Sequence, residues 1–158
     1  MKLLRSDDEA VRFSLNRAEK GAFTEILDLY PLVPATHLRL SKSITGRKAD
    51  EGQRLLDDAL AEQRTEHRQR LQAWLKTPQR FRPTKTGCIL AVDRTDAEWL
   101  LQVLNDIRVG SWLLLGAPED RLEPDEVDPK LQSLWATMEI SGLFQISLLH
   151  ALEGHSHD

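Results

Sequence analysis

Along the first fifteen residues apolar and polar positions alternate, with Val11, Phe13 and Leu15 set between Arg12 and Ser14. That is the period of a half-buried strand. With Lys2–Arg5 ahead of it and the polar Ser6-Asp7-Asp8-Glu9 between, it predicts a β-hairpin. The period then becomes helical. Asn16 stands as N-cap with Glu19 three residues on, a capping-box pattern. Phe23, Ile26, Leu27 and Tyr30 form the apolar face, and Pro31 and Pro34 end the helix.

Residues 31–48 read as irregular, with Pro, Ser, Thr and Gly scattered through them. A long helix is predicted from about Ala49 to Lys76, carried by Leu56, Leu60, Leu71, Trp74 and Leu75. Its centre, Glu62–Arg70, has no large apolar residue and is expected to be solvated or covered by polar contacts. Gln79–Thr86 is a basic connection, and Gly87–Val92 is a strand that joins the hairpin. Thr95-Asp96-Ala97-Glu98 has the form of a second capping box, opening a third helix that ends at Gly116. Asp128-Pro129 fits N-cap and N1 of a last helix reaching about Leu152. The expected fold is α-dominated α+β: about four helices packed with a small antiparallel sheet, the N-terminal hairpin plus a strand near residue 90. Residues 1–153 are expected to form a single domain, with 154–158 a flexible tail.

On a helical wheel the third helix begins two-sided. Leu100, Val103, Leu104, Ile107, Leu114 and Leu115 share one face, and Glu98, Gln102, Asn105 and Asp106 the other. After Arg108 the segregation fails, because Val109, Trp112 and Leu113 fall on the polar side. The second half is therefore expected to be surrounded by protein. The last helix is apolar on two faces, Leu131, Leu134, Met138, Leu149 and Leu152 on one and Ile140, Leu143, Phe144 and Ala151 on another. Ser141, Gly142 and Gln145 interrupt it, and a close-approaching neighbour is a reason for the glycine. Gln145 is expected to be a buried amide with Asn105 and Arg108 as partners. Asn105, Asp106, Arg108 and Gln145 are thus the candidate binding residues. Two readings stand: a satisfied network that sets helix register, or a polar pocket between the C-terminal helices.

The stretch Glu98-Trp99-Leu100-Leu101-Gln102-Val103-Leu104-Asn105-Asp106-Ile107-Arg108 carries a resemblance. It resembles the signature of the bacterial domain-of-unknown-function family number twenty-seventeen. There a Trp-Leu followed by Leu-Asn-Asp-x-Arg opens a helix that ends at a glycine. Leu134-Trp135 and Leu148-Leu149 are similar to the pattern of that family's final helix. The resemblance implies a small cytoplasmic protein, often encoded beside the adaptor of the Clp protease, and hence a link to regulated proteolysis. It brings no catalytic residues with it.

Composition narrows the function classes. With 158 residues, a formal charge of −4 and 41% hydrophobic residues, the chain suits one globular domain rather than a disordered or strongly basic one. Cys88 is the only cysteine, so no internal disulfide forms, and its apolar run Cys88–Val92 predicts burial. The N-terminus is too short and acidic for a signal peptide, and no apolar run reaches the ~18 residues of a membrane span. A cytoplasmic protein with no membrane association is the expectation. No phosphate-binding, dinucleotide, nucleophile-elbow or zinc-protease motif occurs. His155 and His157 in the tail are read as frayed residues rather than metal ligands. No cofactor, metal or catalytic residue is expected.

The basic segment 37–85 has twelve Lys/Arg against six acids, a net +6, whereas residues 117–128 carry a net −5. Such polarity can steer a partner. The absence of a nucleic-acid motif and the acidic whole chain argue against nucleic acid. The reading is a non-enzymatic interaction or regulatory module linked to regulated proteolysis, with a protein partner. One alternative is a nucleic-acid-associated regulator using residues 37–85. Another is an enzyme with a cryptic pocket between the two C-terminal helices. Surplus apolar surface on Trp112, Leu113, Trp135, Leu143 and Phe144 predicts a homodimer through those helices.

Overall fold

The computed structural model describes residues 1–32 and 47–154. Among them lie four α-helices and a four-stranded antiparallel sheet, so the fold is helix-dominated α+β. The strands are β1 (Lys2–Ser6), β2 (Ala10–Asn16), β3 (Phe81–Pro83) and β4 (Gly87–Asp93), in the order β1-β2-β4-β3. The helices are α1 (Arg17–Asp28), α2 (Arg47–Leu75), α3 (Arg94–Leu114) and α4 (Gln132–Glu153). Most of the irregular stretch at 31–48, and the tail beyond Gly154, lie outside the described residues.

The hairpin forms as its alternation dictates. Asp7 closes the turn by accepting the backbone N–H of Glu9 and of Ala10. Leu4 is an extra residue in β1, bulged between the Leu3↔Phe13 and Arg5↔Arg12 pairs. In β2 and β4 the register pairs Val11 with Val92, Phe13 with Leu90 and Leu15 with Cys88, all six buried on one face. Each of the larger of these side chains contributes about 1.5–3 kcal/mol by leaving water. Cys88 is buried as expected, and burial pushes its thiol pKa up. The connection at 79–86 holds a strand the sequence did not announce. Arg82 pairs with Ile89 and Pro83 with Cys88 at the sheet edge, where a proline is tolerated.

α1 begins on the predicted capping box: Asn16 accepts from the Glu19 N–H, and Glu19 accepts from the Asn16 N–H. The second capping box does not form. α3 starts two residues earlier, with Asp93 at the N-cap position directly after β4, because the Arg94 N–H bonds the Glu9 carbonyl at the end of the sheet. Asp96 is then free for another use, described below. α3 ends in a Schellman motif, with Gly116 at φ +91° donating to Leu113 O and Ala117 donating to Trp112 O. A 3-10 turn at Pro129–Leu131, capped by Asp128, leads into α4.

One apolar cluster joins the inner sheet face to α1, the C-terminal end of α2, α3 and α4. Phe23 stands at its middle, edge-on to Phe144 with ring centroids 4.9 Å apart. α3 and α4 share an extensive interface. Its buried seam on α4 is Thr137, Ser141, Phe144, Leu148 and Ala151, a continuous helical stripe. Ser111 and Ser141 are both 0% exposed, and their hydroxyls bond back to Ile107 O and Thr137 O. The α3–α4 seam thus holds one small, locally satisfied serine on each helix, and Ser141 is the buried part of the polar interruption in α4. The expectation that the second half of α3 is surrounded does not hold. Gly110 and Ser111 are buried, but Val109, Trp112, Leu113 and Leu114 are exposed, because α3 turns only one side to α4 there.

Candidate functional site

Three of the four candidate residues, Asn105, Asp106 and Gln145, line one cleft of about 480 Å³. Gln63 and His67 of α2 and Leu101 and Gln102 of α3 complete it with Leu149 of α4. Gln63 and His67 are four residues apart and so lie on one side of α2. Gln102, Asn105 and Asp106 are likewise neighbours on α3. The polar face read from the helical wheel is thus the wall of a cleft.

The expected burial of Gln145 with its partners Asn105 and Arg108 is corrected: Asn105 and Arg108 are exposed and Gln145 is half-buried, and Asp106 is exposed in keeping with its place on the polar face. The α3–α4 seam runs through Val103, Leu104, Ile107 and Ser111, which leaves Asn105 and Gln145 at its rim. The predicted pairing is present, with Gln145 Nε2 donating to Asn105 Oδ1 at 3.5 Å. Arg108 is not part of the cleft. It lies along Gly142, with its Cδ 3.5 Å from where a Cβ on that glycine would stand. That is ordinary van der Waals separation, so the expected close approach does not explain the glycine.

Behind the cleft is Tyr30, 1% exposed, whose hydroxyl lies 3.4 Å from His67 Nδ1. Arg68 Nη1 donates to the Tyr30 carbonyl at 2.8 Å, so α2 is attached to the end of α1 at two successive residues. Burial raises the Tyr30 pKa to about 12, with the nearby Asp106 charge adding to the shift and Arg64 opposing it. The Asp106 carboxyl is raised above its ordinary value by desolvation, against the pull of Arg64 and His67. His67 also meets the Trp99 ring edge-on at 6.4 Å.

Four carboxamides, a carboxyl and an imidazole can bind a polar group through several hydrogen bonds. Asp106 and His67 are the groups able to move a proton there. None of the lining residues is Ser, Thr or Cys, so the cleft's described lining offers no hydroxyl or thiol nucleophile. Among the described residues no group of three His, Cys, Asp or Glu converges as metal ligands, and no helix is long and apolar enough to cross a membrane. The histidines at 155 and 157 lie outside the described residues. Gln63 and His67 were not singled out from the sequence. Their spacing places them together, but only the packing of α2 beside α3 sets them against Asn105 and Asp106.

The basic segment is partly neutralised within the fold. Arg70 pairs with Asp96 at 2.8 Å, and Arg80 with Asp93 at 3.4 Å and Asp96 at 3.6 Å. The acidic loop instead has its own pair, Arg121 with Glu139 of α4. No protein-family model matches this chain, and no curated protein or solved structure matches it.

Proposed function

We propose that this chain is a non-enzymatic interaction module that engages a protein partner through its two C-terminal helices, a second copy of the chain being the first partner to test. The observation that carries this reading is the apolar surface left outside the core. Leu143 is 63% exposed, and Ile146 and Leu149 follow it at three-residue steps along α4. Val109, Trp112 and Leu113 add further exposed apolar area on α3. Apolar surface of this kind on a folded domain marks an association site. The carboxamides beside Leu149 supply hydrogen-bonding groups at the edge of that surface, as interface rims do. The resemblance of Glu98–Arg108 supports a component of regulated proteolysis as the cellular partner.

A photo-crosslinking residue placed at Leu143 or Ile146 tests this in cells, with one at exposed Leu3 of β1 as control. The expected result is a discrete crosslinked product from the α4 positions and none from the control. Identical patterns at all three positions would reject the reading.

A second reading, a small polar ligand in the cleft, is favoured by the four carboxamides around it. It predicts slower amide exchange of Asn105 and Gln145 side chains on ligand addition.

A further inference from the structure

The sheet buries one face in the core, and the opposite face carries no described helix. On it, alternate positions of β2 and β4 place Arg12, Ser14, Ile89 and Ala91 half-exposed. Of these, Arg12, Ile89 and Ala91, together with Leu4, Ala10, Arg82, Asp93 and the turn Thr77–Arg80, border a cleft of about 830 Å³. That volume falls in the range of small-molecule sites, roughly 300–1,000 Å³. Its floor of Leu4, Ile89 and Ala91 is apolar, and two arginine side chains stand over it from opposite sides.

These arginines are set differently. Arg12 is held in place by Asp7, with Nη1 donating to Oδ2 at 2.8 Å. Asp7 also pairs with Arg5 at 3.0 Å, so the three together carry one positive charge. The bond to Asp7 occupies Nη1 of Arg12 and leaves its Nε and Nη2 without a described partner. Arg82 has no described partner and adds a second charge. Arg80 contributes none, since it and Arg70 are balanced by Asp93 and Asp96, and it is folded over the Trp74 ring at 4.4 Å. From the register, Arg12 and Arg82 are two strands and two residues apart, roughly 12 Å between Cα atoms. Long side chains at that separation reach two anionic groups on one small molecule. The guanidinium fork matches the oxygens of phosphate and carboxylate.

We propose that the open face of the sheet is a binding site for a small organic anion bearing two phosphate or carboxylate groups, held by Arg12 and Arg82 over an apolar floor. The floor has no aromatic side chain on which a base stacks, so single-stranded nucleic acid lacks its usual platform.

Isothermal titration of the full chain with inorganic pyrophosphate and with citrate tests this. The expected result is saturable one-to-one binding of at least one of them, weakened but retained at physiological salt. Arg82→Glu and Arg12→Gln should each weaken it roughly tenfold or more, as loss of a charge-assisted contact does. Arg82 is exposed on an edge strand, so its variant reports on the site even if Arg12→Gln disturbs the hairpin. Arg54→Glu, an exposed charge on α2, should leave binding unchanged. No saturation with either anion, equal loss in Arg54→Glu, or full binding in Arg82→Glu would each overturn the proposal. So would binding of an RNA oligonucleotide that pyrophosphate does not displace.

Discussion

The indole Nε1 of Trp74 donates to a carboxylate oxygen of Asp96 at 3.1 Å, tying the end of α2 to the first turn of α3. The same carboxylate accepts from Arg70 at 2.8 Å and faces Arg80. Arg70 and Arg80 in turn stack on Trp99 and Trp74 at 4.3 and 4.4 Å. One aspartate thus pairs with two arginines that stack on Trp99 and Trp74, and accepts from the indole of the second.

Asp96→Ala is therefore expected to destabilise the fold by about 1–3 kcal/mol, since the Trp74 indole N–H and Arg70 lose their acceptor and buried Arg80 loses one of its two charge partners. Asp96→Asn, which keeps an acceptor for Trp74, should lose less. Thr95→Ala, at a position whose capping role is not realised, should stay within about 0.5 kcal/mol. Urea denaturation of the three variants checks the order.

Two glycines should respond in opposite directions. A Cβ at Gly87 would run into the Leu15 carbonyl oxygen and the Asn16 backbone across the β2–β4 pair. Gly87→Ala must separate the strands, and thermal denaturation should show a loss larger than any exposed substitution causes. Gly142 has room and a helical backbone, so Gly142→Ala should stabilise α4 by up to about 1 kcal/mol.

Asp7 and Asp106 predict opposite pH dependences. Asp7 is held near a pKa of about 2, below its ordinary 3.8, first by the Ala10 N–H and then by Arg12. Its contribution to stability is present above the unfolded value and is lost as pH falls from about 4 through about 2. Asp7→Asn should remove that part of the acid transition. Asp106 is raised by desolvation. Its charged form opposes folding, so stability falls as pH rises through its folded pKa. Asp106→Asn should stabilise the chain at neutral pH by less than about 1 kcal/mol, because solvent screens an exposed site, and have no effect in strong acid. Denaturation curves across pH for both variants test the signs.

The neighbours Leu143 and Phe144 separate surface from core. Phe144 is 5% exposed and packed on Phe23, so Phe144→Glu should unfold the protein. Leu143→Glu should leave circular dichroism and thermal stability unchanged and abolish self-association in analytical ultracentrifugation. A wild-type monomer at high micromolar concentration would reject the homodimer while leaving the core assignment intact.

Local pattern settled much of this protein. Alternation at Val11–Leu15 fixed which strand face is buried, because a strand's side chains can turn only two ways. Asn16 with Glu19 located the start of α1, and Gly116 the end of α3, because each satisfies the backbone groups of its own helix end. The polar face of α3 was legible in the same way, from Gln102, Asn105 and Asp106 one turn apart.

What lay beyond the sequence depends on which elements meet. Thr95–Glu98 has the form of a cap, yet the sheet bond from Arg94 to Glu9 started the helix earlier and released Asp96 to Trp74. The three-residue strand at Phe81 exists only because β4 offers an unpaired edge. His67 and Gln63 became part of a cleft only when α2 crossed beside α3, far along the chain. Apolar periodicity shows that a helix face seeks cover, but not whether that cover comes from the same chain. Hence Val109, Trp112 and Leu143, read as apolar from the sequence, proved exposed once the small residues Ser111 and Ser141 had set where α3 and α4 touch.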